Sequence, residues 1–138
     1  MKVKRLCLLA LLVCSCREVV DNPTSGPPEV TMERREEVRK IISGYLHHSG
    51  IDVVRGPLTV REIQKELNEH AAQIRAEGGG PVIPGGPEWK QLKAKLKPGD
   101  ELYFYKTDLR SCGELRGREG YVAIRGNDVV GSLLTLMN

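Results

Sequence analysis

The sequence predicts an α+β protein in which a helical hairpin precedes a short helix packed on a three-stranded antiparallel sheet. Three observations carry that expectation. Residues 29–77 hold two apolar stripes at helical spacing, each behind a polar cap; residues 101–137 hold three runs rich in β-branched and aromatic residues; and between them residues 78–87 contain eight Gly or Pro in ten positions. A chain of 138 residues is long enough for one domain or two very small ones. With one Trp, one Phe and four Tyr, its core must be mostly aliphatic.

The first five residues include Lys2, Lys4 and Arg5, and residues 6–13 (LCLLALLV) are uninterrupted and apolar, the charge and length of an export signal. That apolar run falls far short of the ~20 residues a spanning helix needs. Residues 16–28 are polar, carry three prolines and show no apolar period, so they read as a flexible tether. From residue 29, Val38, Ile41, Ile42, Tyr45 and Leu46 fall on one helical stripe behind Thr31 and an acidic first turn, and Ser49-Gly50 stops it. Thr59 and Glu62 then stand at capping-box spacing, Ile63, Leu67, Ala71 and Ile74 form the stripe that follows, and Gly78 ends it. With residues 51–58 as their connection, the two helices make a hairpin over residues 29–77.

The tract 78–87 (GGGPVIPGGP) breaks any helix or central strand and reads as a linker to a second unit, residues 88–138. Pro87 suits a helix start, Trp89, Leu92 and Leu96 form a short stripe, and Lys97-Pro98-Gly99-Asp100 ends it. Strands are expected over residues 101–106, 121–125 and 129–137, the last two joined by the turn Gly126-Asn127-Asp128. Gly117 and Gly120 are expected to supply backbone angles that a β-carbon forbids, at the end of a long irregular connection, residues 110–120.

Two resemblances follow from particular residues. The apolar run ends Val13-Cys14-Ser15-Cys16, which resembles the signal of bacterial lipoproteins: an aliphatic residue three before the cysteine, a small one directly before it, and a thiol that receives diacylglycerol. Cys14 departs from the usual Ala, Ser or Thr at the middle position. This resemblance covers residues 1–16 and implies cleavage after residue 15, lipidation of Cys16 and a membrane partner through that anchor, at the periplasmic side of the envelope or the cell surface. Three acyl chains on one cysteine would make release slow, since each buried methylene contributes ~0.8 kcal/mol. Residues 89–138, with Gly-Asp-Glu-Leu at 99–102, Gly-Arg-Glu-Gly-Tyr at 117–121 and Thr-Leu-Met-Asn at 135–138, resemble the carboxy-terminal part of short uncharacterised bacterial proteins. That likeness implies a bacterial origin and no activity.

The formal charge of +3 comes from 21 basic and 18 acidic residues. Removing Lys2, Lys4 and Arg5 with the signal leaves 18 against 18, so the mature chain gives no electrostatic reason to bind nucleic acid. Residues 58–68 resemble the second helix of winged-helix DNA binders, but no recognition helix follows. Cys7 and Cys14 leave with the signal and Cys16 is taken by lipid, so Cys112 has no internal disulfide partner.

Candidate chemistry is sparse. His47 and His48 are adjacent at a helix end and point about 100° apart, while His70 approaches them only if the hairpin closes, with Asp52 as a further oxygen donor. Cys112 lies among Arg110, Arg116 and Arg118, which favour a thiolate. Those three arginines, joined by Arg125, could converge on an anion at the mouth of the sheet, although Asp108, Glu114, Glu119 and Asp128 are interleaved with them. The tract 78–87 lacks the Gly-Lys-Ser/Thr of a phosphate loop, and no cofactor or metal is expected. The reading is a noncatalytic binding module of the envelope, using an exposed sheet face or the 110–120 loop, with an envelope protein as a second candidate partner. Its alternatives are an exported thiol- or histidine-dependent hydrolase built on Cys112, and a cytosolic interaction protein.

Overall fold

The computed structural model describes residues 30–47, 50–108 and 117–137. Seven elements follow in order: α1 (Met32–Leu46), β1 (Ile51–Leu58), α2 (Val60–Ala76), α3 (Gly86–Lys95), β2 (Glu101–Thr107), β3 (Arg118–Arg125) and β4 (Asp128–Met137). The class is α+β, and the strands form one antiparallel sheet in the order β1-β2-β3-β4.

Both helix starts follow from their caps. Thr31 Oγ1 accepts the Arg34 N–H at the head of α1. At α2, Thr59 Oγ1 accepts the Glu62 N–H while the Glu62 carboxylate accepts the Thr59 N–H at 2.6 Å, so two otherwise free donors are satisfied reciprocally. The first helix stops earlier than Ser49-Gly50: His47 turns left-handed, with φ 52°, and its N–H returns to the Gly44 carbonyl.

Residues 51–58 correct the expected hairpin. They form β1, a fourth strand, pairing Val54 with Tyr105, Arg55 with Phe104 and Leu58 with Leu102. Gly56-Pro57 resembles a loop, but at a sheet edge proline costs no ladder hydrogen bond on the solvent side, and the register shifts between Arg55 and Leu58 accommodate it. The connection between the first two helices is therefore a strand, and the helices lie on opposite faces of the sheet. Val38 and Ile42 of α1 pack with Val54, Tyr103, Tyr105, Val122 and Ile124. Ile63 and Leu67 of α2, with Trp89 and Leu92 of α3, pack with Leu102, Tyr121, Ala123 and Leu133.

The alternation along β2 and β3 sorts neighbours to opposite sides: Tyr103 and Tyr105 face α1, whereas Leu102 and Phe104 face α2 and α3. Because both faces of the central strands are covered, there is no exposed sheet face there to serve as a binding surface. β1 and β2 come from the two sequence units expected at 29–77 and 88–138, and they share this one sheet. The tract 78–87 joins two helices of a single cluster, and the indole N–H of Trp89 donates to Gln64 Oε1 at 2.7 Å. Gly120 sits inside β3 without a left-handed angle; a β-carbon there would collide with the Leu133 carbonyl oxygen, so close approach of β4 is what glycine permits. Among the described residues no helix is long and apolar enough to cross a membrane.

Candidate functional site

Among several surface cavities, one on the α2 side of the sheet is bordered by a polar cluster drawn from four elements. β1 supplies Arg55, α2 supplies Glu66 and His70 one turn apart on the same helix face, β3 supplies Glu119 and Tyr121, and β4 supplies Thr135. Arg55 grips Glu66 with two parallel hydrogen bonds, Nη1 to Oε1 at 2.6 Å and Nη2 to Oε2 at 2.8 Å, the planar geometry that suits guanidinium to carboxylate. The Tyr121 hydroxyl donates to Glu66 Oε2 at 2.5 Å. The Arg55 guanidinium also lies 5.2 Å from the centre of the Phe104 ring, which meets Tyr121 edge to face at 5.5 Å.

These contacts set the ionisation of the cluster. The Arg55 hydrogen bonds hold the Glu66 carboxyl below its ordinary range against the opposing effect of burial, and Tyr121 adds to them. Glu66 in turn raises Arg55. Burial, and then the Glu66 carboxylate, push the Tyr121 hydroxyl well above its ordinary value, so it remains a donor. With both oxygens of Glu66 occupied, the cluster is a fixed polar floor.

Above this floor is a chamber of about 140 Å³ whose polar wall is His70, Glu119 and Thr135 and whose apolar wall is Leu67 and Phe104. Lys106 lies 3.3 Å from Glu119, and Thr135 Oγ1 donates to the Glu119 carbonyl. Leu67, His70 and Thr135 also line a second, more open cavity of about 210 Å³ that continues past Ile74, Ile83 and Leu134. Each cavity is below the roughly 300 Å³ at which small-molecule and cofactor sites begin. Their scale suits one side chain or a short segment.

Those residues singled out from sequence that the structure describes are dispersed. Cys16, His48, Arg110, Cys112 and Arg116 lie outside the described residues. The sheet separates His47, at the end of α1, from His70 on α2, so the closed hairpin that would bring them together does not form. Among the described residues no group of three or more His, Cys, Asp or Glu is arranged to hold a metal ion. Arg118 and Arg125 stand at opposite ends of β3, about 24 Å apart along a strand, and do not converge. The Arg118 N–H donates to Thr107 Oγ1, while Arg125 pairs with Asp100 through two bonds of 2.7 and 2.8 Å. Arg125 and the Lys97 N–H hold the Asp100 carboxyl down at about 2.

Sequence reasoning missed Arg55, Glu66, Tyr121 and Thr135. Only the four-residue spacing of Glu66 and His70 on a well-capped helix was a usable signal. No family model matches the chain, and the curated proteins and solved structures searched gave no match.

Proposed function

We propose that the protein is a small membrane-tethered envelope lipoprotein, anchored through Cys16 and acting as a noncatalytic binding module. The observation that supports the noncatalytic part is the state of Glu66: both of its oxygens are engaged, by the Arg55 guanidinium and the Tyr121 hydroxyl, so it organises the floor of the cavity. The tether rests on residues 1–16, where a basic start, a short apolar run and Ser15-Cys16 stand in the order of a lipoprotein signal.

The geometry is compatible with such an anchor. Arg34, in the first turn of α1, donates to the Gly126 carbonyl at 2.9 Å and to Glu101 at 2.7 Å, so the chain enters the fold at the sheet end that carries the β3–β4 turn. Glu119 and Thr135 belong to the other end. A tether leading from Cys16 to that entry would leave the chamber on the side away from the membrane.

The test of the anchor is Cys16→Ser in the full chain, read by membrane fractionation and intact mass. Loss of the lipidated mass and release from the membrane are expected; an unchanged mass and distribution would overturn the anchor and favour a cytosolic interaction protein. Alkylation separates the module from a thiol hydrolase. One stoichiometric, pH-shifted modification at Cys112 accompanied by loss of a hydrolytic activity would overturn the noncatalytic reading.

A further inference from the structure

Five large apolar side chains stand exposed among the described residues, and three of them, Tyr45, Ile83 and Leu134, gather at β4, the last strand of the sheet among the described residues. Tyr45 reaches the strand from the α1 side, where its hydroxyl lies 3.1 Å from Ser132 Oγ. Ile83 reaches it from the α2 side and shares a cavity wall with Leu134. The two edges of the sheet are built differently. β1 carries Asp52, Arg55 and Pro57, and charges and a missing N–H are what deter a foreign strand from pairing. After Asp128, β4 has no charged residue and no proline as far as Met137. Its register shifts fall near the two ends, and residues 131–134 between them pair regularly with β3.

We propose that this edge pairs antiparallel with β4 of a second copy of the chain, joining two four-stranded sheets into one across a two-fold axis. Charge selects both the occupant and the orientation. Within the strand, residues 129–137 offer a charged partner strand no counter-charge, whereas β4 itself brings none. Its one charge is Asp128; antiparallel pairing sets the two Asp128 carboxylates about 30 Å apart at opposite ends of the joint, and parallel pairing would set them side by side. Facing residues in an antiparallel pair share a sheet face, so the axis passes through Ser132 or Leu133 in the regular stretch. Each copy then brings its own Tyr45 and Ile83 to the two faces of the joint, the self-complementary arrangement that a two-fold dimer requires. This deepens the interaction-module reading and is independent of the Cys16 anchor.

A photo-reactive amino acid at Leu134 of the full chain, activated in cells, is expected to yield an adduct of twice the chain mass; the same probe at Val60, at the start of α2, is expected to yield none. Leu134→Lys should weaken self-association at least tenfold by sedimentation, with the circular dichroism spectrum retained. If Leu134→Lys fails to fold, Ile83→Lys, outside the strand, is expected to weaken the dimer in the same assay. A monomer at all concentrations overturns the proposal. An adduct with a different protein only also overturns it, while leaving the interaction module standing; absence of any adduct at Leu134 counts against both.

Discussion

Replacing Ile42 by alanine tests whether the two faces of the sheet belong to one folding unit. Ile42 is fully buried under α1, and the substitution removes three carbons from a cluster that includes Val38, Tyr103 and Val122. At ~0.8 kcal/mol per methylene the transfer loss is about 2.4 kcal/mol, and the unfilled space raises the cost to about 3–4 kcal/mol. A protein of this size unfolds with a urea dependence of order 1–3 kcal/mol per molar, so the midpoint should fall by roughly 2 M. The lone Trp89 is the reporter, because it lies in the other cluster, with Leu67 and Leu133. If the sheet is shared, Trp89 fluorescence and far-UV circular dichroism must shift together in one transition. Leu67→Ala, on the Trp89 side, should shift the same transition by a similar amount, and the double variant should be additive within about 0.5 kcal/mol, since the two sites have no common neighbour. A Trp89 transition that ignores Ile42→Ala would refute the reasoning and restore two independent units.

Tyr121→Phe removes the donor to Glu66 and is expected to cost about 1–2 kcal/mol, measured by urea unfolding, with the fold retained. Glu66 has a folded-state value lowered from about 4.5, chiefly by Arg55, so its contribution to stability is complete above about pH 4.5 and is lost as pH falls through the folded value; Glu66→Gln should remove that part of the acid dependence in a stability–pH profile. Asp100, lowered from 3.8 to about 2 by Arg125, follows the same sign, its contribution disappearing as pH falls from about 3.8 toward 2; Asp100→Asn should flatten that lower limb. Gly85→Ala puts a β-carbon 2.5 Å from Trp89 Cβ at a residue with φ 73°, so thermal unfolding should show a loss of more than ~1 kcal/mol and Trp89 emission should move.

What the sequence made legible was local. The capping box at Thr59 and Glu62, the Thr31 cap, and the turn at Gly126-Asn127 depend on residues a few positions apart, and each stands where its spacing indicates. β2 was recognisable from its aromatic content, but Leu102, Tyr103, Phe104 and Tyr105 are all apolar, so no alternation told which side chain faces which helix. β1 was hidden because Gly56-Pro57 carries the chemistry of a turn, and only pairing with a strand some fifty residues later makes it an edge. The floor of the cavity was illegible for the same reason. Glu66 was visible as a helix-surface carboxylate; its partners Arg55 and Tyr121 lie on a strand that was not expected and on one 55 residues away.

The strand that was missed is also what gives the cavity its character. As a loop between two hairpin helices, residues 51–58 would not have fixed Arg55 against Glu66; even in β1 its side chain stays about half exposed, so the pair orients Glu66 more than it stabilises the fold. As β1, hydrogen-bonded to β2, the same residues carry Arg55 over the Phe104 ring and aim its guanidinium at α2. The aromatic face and the Tyr121 hydroxyl then restrict the pair to one geometry, and Glu66 is fixed as an acceptor. With that carboxylate committed, His70, Glu119 and Thr135 are the other polar groups of the lining, Glu119 paired with Lys106 and Thr135 donating to the Glu119 carbonyl. On the binding-module proposal, a ligand of this cavity would meet side chains from α2, β3 and β4, and β1 acts on it through the orientation of Glu66.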